Sequence, residues 1–171
     1  MELYFLRHAI AADRDDPKYK DDSLRPLTRD GQKRMLDATS GMKALKLNFD
    51  VILSSPYLRA RQTAQIVAQV YKINHDHIHL TKNLLPPTGI KILLNEIQST
   101  FPKAKHLLLV GHEPHLSIMI SELLDSVTPL NIDFKKGGLC HVNVLQPTGH
   151  AIGSLKWLLT PSQLKMFNPG F

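Results

Sequence analysis

The sequence of 171 residues predicts an α/β protein, a three-layer α/β/α sandwich around a mixed, mostly parallel central sheet. Short apolar runs, typical of buried strands, alternate with segments whose apolar residues recur every three or four positions, as on one face of a helix. The last two predicted strands, residues 139–145 and 152–158, flank the turn Pro147-Thr148-Gly149. They therefore form an antiparallel hairpin beside the parallel strands.

Four apolar runs predict the parallel strands, at residues 3–6, 51–53, 78–80 and 106–110. Each is followed by a predicted helix. The first begins after the capping residue Thr28 and the second opens at Pro56, where a missing N–H is harmless. The apolar faces of the first, third and fourth helices comprise Met35, Ala38, Met42 and Leu45; Ile90, Leu93, Leu94 and Ile97; and Leu116, Met119, Ile120, Leu123 and Leu124. His75, His77 and His79 are predicted to alternate along the third strand as its polar edge.

The composition is that of one globular domain over residues 1–171, with 21 Lys and Arg, 15 Asp and Glu, and a formal net charge of +6. The charges are scattered and no basic stripe is interleaved with aromatic residues, so nucleic acid is not a predicted partner. The single cysteine, Cys140, cannot form a disulfide within the chain, which fits a reducing cytoplasm. No membrane span or signal peptide is predicted, and the oligomeric state is left open.

Basic and ionisable residues follow three of the predicted strands. Arg7 and His8 end the first, Arg59 comes shortly after the second, and His112 follows the fourth. Because the carboxyl ends of parallel strands meet at one edge of the sheet, these side chains are expected to converge. A pocket with two guanidinium groups and two imidazoles fits a phosphoryl group. Zinc fits poorly, since the arginines would repel it and no carboxylate or cysteine joins the set.

The chain resembles the histidine phosphatase superfamily, with its phosphoglycerate mutase-like fold, and within it the small bacterial phosphohistidine phosphatases of the SixA type. The matching segments are Leu6-Arg7-His8-Ala9, Arg25-Pro26-Leu27-Thr28 with Gly31, Ser54-Ser55-Pro56 through Arg59 with Gln62-Thr63-Ala64, Val110-Gly111-His112-Glu113-Pro114, and Leu159-Thr160-Pro161 with Leu164-Lys165. They occur in the family's order over nearly the whole chain. Ala9 stands where glycine is more frequent.

The resemblance implies that His8 is the nucleophile that takes the phosphoryl group. Arg7 and Arg59 would bind its equatorial oxygens, and His112 would donate a hydrogen bond to them. Arg25 would be a further substrate contact. No metal or other cofactor is implied, because the two guanidinium groups supply the charge that magnesium supplies in kinases.

One departure from the family pattern bears on the substrate. Larger members carry a glutamate or aspartate after the third strand that protonates a leaving alkoxide, whereas the corresponding stretch here, residues 80–86, holds Asn83. Imidazole leaves more readily than an alkoxide, so the sequence favours phosphohistidine on a protein such as a histidine phosphotransfer domain. Two alternatives stay open. One is a broad small-molecule phosphomonoesterase that uses another carboxylate, such as Asp13 or Glu113, and the other is an inactive phosphoprotein-binding module.

Overall fold

The computed structural model describes residues 1–146 and 152–168 and contains one six-stranded sheet. The strands are β1 (Glu2–Arg7), β2 (Val51–Ser54), β3 (Ile78–Leu80), β4 (His106–Gly111), β5 (Leu139–Gln146) and β6 (Ile152–Leu159). Their order is β3-β2-β4-β1-β5-β6, in which β1 to β4 are parallel and β5 and β6 are antiparallel. The predicted mixed sheet is confirmed, while the turn Pro147-Thr148-Gly149 lies outside the described residues.

Helices cover both faces of the sheet. They are α1 (Arg29–Ala44), α2 (Leu58–Tyr71), α3 (Ile90–Thr100), α4 (His115–Leu123) and α5 (Pro161–Met166). Successive residues of β1 point to opposite faces: Leu3 and Phe5 pack with the apolar residues of α3 and α4, and Tyr4 and Leu6 pack with those of α1, α2 and α5. The two apolar clusters on either side of one sheet confirm the predicted three-layer sandwich.

Hydrogen bonds and close packing at the start of α1 show why particular residues occur between the first strand and the second helix. The Thr28 hydroxyl accepts a hydrogen bond from the Gly31 amide at 2.9 Å, and the Thr28 amide donates to the Ile10 carbonyl at 2.9 Å. A Cβ atom on Gly31 would lie 2.1 Å from that same carbonyl oxygen, so only glycine fits. The Gln62 side chain accepts from the Leu27 amide at 2.7 Å. These contacts hold the segment after β1 against α1 and α2.

Two local predictions are wrong. Helix α2 begins at Leu58 rather than at Pro56, because the chain first turns through Tyr57, whose amide donates to the Ser55 hydroxyl. His75–His77 forms a short 3₁₀ helix capped by Asn74, so the three alternating histidines do not share a strand face. In the described ranges, no group of three or more His, Cys, Asp or Glu side chains is arranged to hold a metal ion, and no helix has the length and apolarity to cross a bilayer.

Candidate active site

Strands β2, β4 and β1 are neighbours, and hydrogen bonding continues one residue beyond their ends. The His8 amide donates to the Gly111 carbonyl at 3.0 Å, and the Ser55 amide donates to the Val110 carbonyl at 2.9 Å. Backbone pairing therefore brings His8, Ser55 and His112 together at the carboxyl edge of the sheet. The sequence predicts this convergence from strand direction alone.

A cavity of about 710 Å³ opens at this edge. All five residues singled out from the sequence line it: Arg7, His8, Arg25, Arg59 and His112. Further charged side chains on its wall are Arg14, Lys136, Asp13, Asp22 and Glu113. With neutral histidines, five cationic and three anionic groups leave the cavity positive, as an anionic ligand requires.

His8 is buried as a neutral imidazole of defined tautomer. Its Nδ1–H donates to the Ala9 carbonyl at 2.7 Å, so its Nε2 carries a lone pair, which accepts from Arg59 Nε at 3.3 Å. The pKa of His8 is lowered to about 2, chiefly by burial, with the neighbouring His112, Arg59 and Arg7 contributing to the shift and the Ala9 hydrogen bond opposing it. A lone pair on Nε2 at neutral pH is what a nucleophilic histidine needs.

Arg59 lies at the second position of α2, with only 7% of its side chain exposed. Besides its contact with His8, it donates from Nη1 to the Asp22 carbonyl at 2.7 Å and from Nη2 to Asp22 Oδ2 at 2.9 Å. The Thr63 hydroxyl ties this turn of helix to the segment that follows β1, since it donates to the Arg59 carbonyl at 2.7 Å and accepts from the Ala9 amide at 3.1 Å.

Arg7 approaches the cavity from the end of β1. Its Nη1 donates to the Phe134 carbonyl at 2.5 Å, and its buried Nε has no hydrogen-bond partner among the described residues. Burial lowers the pKa of the guanidinium, while Glu113 and Asp133 oppose that shift. A buried donor without a partner beside an open cavity is placed for an incoming acceptor.

His112 is held by Ser55, whose hydroxyl lies 2.8 Å from His112 Nε2. The ring centroid lies 5.1 Å from that of His8, and its buried Nδ1 has no partner within the described part of the chain. The pKa of His112 is lowered to about 3, chiefly by burial and next by the charge of Arg59, with Asp22 opposing the shift. Ser55 is a site residue whose role the sequence does not reveal. Its signals in the sequence are its position at the end of β2 and its place in the segment Ser54-Ser55-Pro56 that resembles the family.

The donors of Arg25 are turned toward the protein. Its Nη1 donates to the Ala12 carbonyl at 2.7 Å, and its Nε and Nη2 lie 2.9 and 2.8 Å from Asp22 Oδ1. Asp22 thus contacts both Arg25 and Arg59, a link that the sequence does not reveal. That Arg25 touches a substrate stays a prediction.

The sequence predicts Asn83 at the position of the family's proton donor, but its side chain does not line the cavity. Its Nδ2 donates to Glu96 Oε2 on α3 at 2.7 Å, and it is not among the residues that line the cavity. Leu85 and Pro86 of the same stretch do line it, and neither can donate a proton. Glu113 is the carboxyl group beside His112. It accepts from the Ser117 amide and hydroxyl at 3.1 and 2.5 Å, and burial raises its pKa against the opposing effects of Ser117 and Arg7.

Comparison with known proteins agrees with this geometry. Residues 3–84 match the family model of the histidine phosphatase superfamily (branch 1). An uncharacterised protein of Picosynechococcus is 39% identical over 141 residues, which is 81% of this chain and 82% of that protein. The phosphohistidine phosphatase SixA of Escherichia coli is 26% identical over 97% of this chain and 98% of its own length.

Among solved structures, the protein histidine phosphatase SixA complexed with tungstate superimposes with a TM-score of 0.80. It shares 26% identity, and the match covers 96% of this chain and 99% of that one. The chain therefore belongs to the histidine phosphatase superfamily, and it is a phosphatase of the SixA type.

Proposed function

We propose that this phosphatase hydrolyses phosphohistidine on a protein, without a metal ion, through a phosphohistidine intermediate on His8. The observation that carries the proposal is the state of His8. Its Nδ1 proton is committed to the Ala9 carbonyl, which leaves the Nε2 lone pair beside a buried guanidinium. Such a nitrogen can attack phosphorus without a base to activate it.

In the first step, His8 Nε2 forms a bond to phosphorus as the bond between phosphorus and the substrate imidazole breaks. The leaving nitrogen takes a proton from solvent. Arg7 and Arg59 would neutralise the charge on the transferring oxygens, as preorganised cations do in phosphoryl transfer. With the Ser55 hydroxyl donating to Nε2, the proton of neutral His112 resides on Nδ1 and is free to bind an oxygen.

In the second step, water attacks the phosphorylated His8. Phosphate is released, and His8 returns to its neutral form. The same arginines serve both steps, because charge spreads over the same oxygens each time.

The choice of phosphohistidine as the substrate is supported by the segment after β3. Leu85 and Pro86 face the cavity, and the side chain of Asn83 binds Glu96. An alkoxide released here would find no donor on this segment, whereas an imidazole needs none. The similar Escherichia coli protein is a phosphohistidine phosphatase, which agrees with this choice. A histidine phosphotransfer domain is the kind of partner we propose.

One observation favours a second candidate, a small-molecule phosphomonoesterase. Glu113 lines the cavity, and burial raises the pKa of its carboxyl group, so it is a possible proton donor to a leaving alkoxide. Its two hydrogen bonds from Ser117 give it an alternative, structural role at the start of α4.

A comparison of substrates separates the two candidates. A phosphohistidine-bearing phosphotransfer domain, an aryl phosphate and a sugar phosphate are assayed side by side. We expect the first two to be cleaved, and the sugar phosphate at least about 100-fold more slowly, since general acid catalysis typically contributes about 10²–10⁴-fold. Equal rates on sugar phosphate and phosphohistidine would contradict the proposal.

Glu113→Gln identifies the donor if alkyl phosphates are cleaved. Under our proposal this variant keeps its phosphohistidine activity. Under the second candidate it loses alkyl phosphate activity selectively, by about 10²-fold or more. Asp13→Asn tests the other carboxylate of the cavity wall that the sequence offers as a donor, and Asp30→Asn, on the exposed surface of α1, is the control.

A further inference from the structure

Asp22 is an anionic residue in a cavity built for anions. It begins the 3₁₀ turn Asp22–Leu24, which Asp21 caps by accepting from the Ser23 amide at 2.9 Å. Its two carboxylate oxygens divide their partners: Oδ1 lies 2.8–2.9 Å from the nitrogens of Arg25, and Oδ2 lies 2.9 Å from Arg59 Nη2. Its carbonyl also accepts from Arg59 Nη1 at 2.7 Å. Asp22 is thus fixed by its own turn, by Arg25 and by Arg59.

The atoms that Asp22 contacts show which edge of the Arg59 guanidinium it uses. A guanidinium presents two edges to acceptors, an end edge formed by Nη1 and Nη2 and a side edge formed by Nε and Nη2. Asp22 occupies both nitrogens of the end edge, through its carbonyl on Nη1 and its carboxylate on Nη2. The side edge faces His8, since Arg59 Nε donates to His8 Nε2. Nη2 carries a second N–H, which completes this side edge for another acceptor.

We propose that Asp22 is a positioning residue of the phosphatase reaction, which anchors the end edge of Arg59 so that the side edge meets the phosphoryl group bound to His8. The inference rests on the proposed roles of His8 and Arg59. A phosphoryl group at His8 Nε2 would meet Arg59 Nε–H and the second Nη2–H as a parallel pair of donors, the geometry that makes arginine selective for phosphate. An arginine free to rotate would offer this pair only part of the time.

Arg25 acquires a role in this arrangement. Its guanidinium bridges the Ala12 carbonyl and Asp22 Oδ1, so it holds Asp22 from the side opposite Arg59. Burial by itself raises the pKa of Asp22, but the hydrogen bonds and charges of Arg25 and Arg59 outweigh it and leave the pKa below its ordinary value. Asp22 is therefore a carboxylate at neutral pH.

A different role for Asp22 makes the opposite prediction. If Asp22 were a latch that competes with phosphate for Arg59, its removal would tighten anion binding. If it positions Arg59, its removal weakens anion binding and slows turnover. The location of its contacts on the end edge favours positioning.

The test measures kcat and KM on an aryl phosphate, and inhibition by vanadate, for Asp22→Ala and Asp22→Asn. Each variant is made in the native chain and in an Arg59→Ala background. Loss of charge-assisted hydrogen bonds predicts that Asp22→Ala lowers kcat/KM and vanadate affinity by about 10- to 100-fold. Both variants keep the backbone carbonyl that accepts from Arg59 Nη1, and Asp22→Asn, which also keeps one side-chain acceptor oxygen, recovers part of the loss. In the Arg59→Ala background, Asp22→Ala has no further effect, because the residue acts through Arg59.

Asp30→Ala is the matched control, because Asp30 forms an ion pair with Arg34 at 2.8 Å on the exposed surface of α1. It should leave both quantities unchanged. Thermal unfolding of each variant shows whether the fold survives, and Asp22→Asn serves if the alanine variant is unfolded.

Four outcomes overturn the proposal. Tighter vanadate binding by Asp22→Ala indicates a latch, and an equal loss in the Arg59→Ala background indicates an independent role. If Asp22→Ala keeps the native kcat/KM and vanadate affinity while Arg59→Ala loses them, Asp22 does not position Arg59, although the proposed site itself stands. If Arg59→Ala itself is fully active, the site assignment fails with it. Because the assay uses an aryl phosphate, its result does not depend on phosphohistidine being the natural substrate.

Discussion

The charged side chains at the two ends of strands β1 and β4 differ in whether they have hydrogen-bond partners within the protein. At the amino ends, each carboxylate accepts at least two hydrogen bonds. Glu2 accepts from His141 Nε2 and Asn143 Nδ2 at 2.5 Å each, and Asp50 accepts from the amides of Lys105 and His106 at 2.8 and 2.9 Å. These groups are paired, and they join β1 to β5 and β4 to the chain before β2.

At the carboxyl ends of the same strands, cationic groups outnumber anionic ones, and buried donor positions lack partners. Arg7 Nε and His112 Nδ1 are both in that state within the described residues. Leaving a buried polar group unpaired costs about 1–3 kcal/mol, so a fold tolerates it where the group has another use. His141 Nδ1, near the amino end of β1, is also buried without a partner in the described part of the chain, so an unpaired atom alone does not separate the two ends. The excess of cationic groups around an open cavity does, and it indicates that the carboxyl end is built to receive an anion while the other end is structural.

His8→Ala is expected to have the largest effect on this comparison. Removing the nucleophile should lower kcat by several orders of magnitude while the protein stays folded. Steady-state assays and acid quenching with radiolabelled substrate measure the rate and the intermediate. His106→Ala, at the opposite end of β4, should retain activity. Substantial turnover or a trapped intermediate in His8→Ala would refute the assignment.

Arg59→Ala should have the second largest effect, a weaker binding of anions in the cavity. Losing charge-assisted hydrogen bonds to a bound oxyanion costs about 1.5–3 kcal/mol, so the vanadate inhibition constant should rise by roughly 10- to 150-fold. Arg34→Ala removes an exposed arginine with an aspartate partner and should leave this constant unchanged. An unaltered constant in Arg59→Ala would mean that Arg59 does not contact the anion.

Acid should lower the free energy of unfolding through the two histidines that follow β1 and β4. The pKa of His8 is lowered to about 2 and that of His112 to about 3, from an ordinary value of 6.5, chiefly by burial. Between these values the unfolded chain binds more protons than the native one, so stability is greatest above about pH 6.5 and falls as the pH decreases. Each histidine contributes at most about 1.4 kcal/mol per pH unit.

Urea unfolding at several pH values between about 7 and 4.5 measures this effect. His112→Gln should flatten the dependence, because one of the two titrating groups is gone. A variant whose stability falls with acid as steeply as that of the native protein would show that His112 is not buried in its neutral form.

Glu2→Ala should produce the smallest effect. It removes two hydrogen bonds at the structural end, which contribute about 0.5–1.5 kcal/mol each, and it should lower the free energy of unfolding by roughly 1–3 kcal/mol. The kcat on an aryl phosphate should not change. A clear loss of activity in a folded Glu2→Ala would contradict the division between the two ends.

The fold and the membership of the cavity could be predicted because their determinants are local or follow a simple rule. Apolar runs of strand length and helical periodicity are read within a few residues, and the carboxyl ends of parallel strands meet at one edge. That rule was enough to place Arg7, His8, Arg59 and His112 together. The same local signals did not locate the start of α2 or the 3₁₀ helix at His75–His77, where short turns compete with regular structure.

The sequence by itself determined the α/β architecture and the positive edge of the sheet, since hydrophobic pattern and strand direction are enough for these, and its motifs carried the resemblance to a phosphatase family. Only the tertiary structure decided which atoms meet. Asp22 reaches Arg59 across 37 positions and Ser55 reaches His112 across 57, and Asn83 turns to Glu96 instead of the cavity. Such contacts depend on where loops and side-chain rotamers settle once the core has packed, and no local pattern of residues encodes that choice.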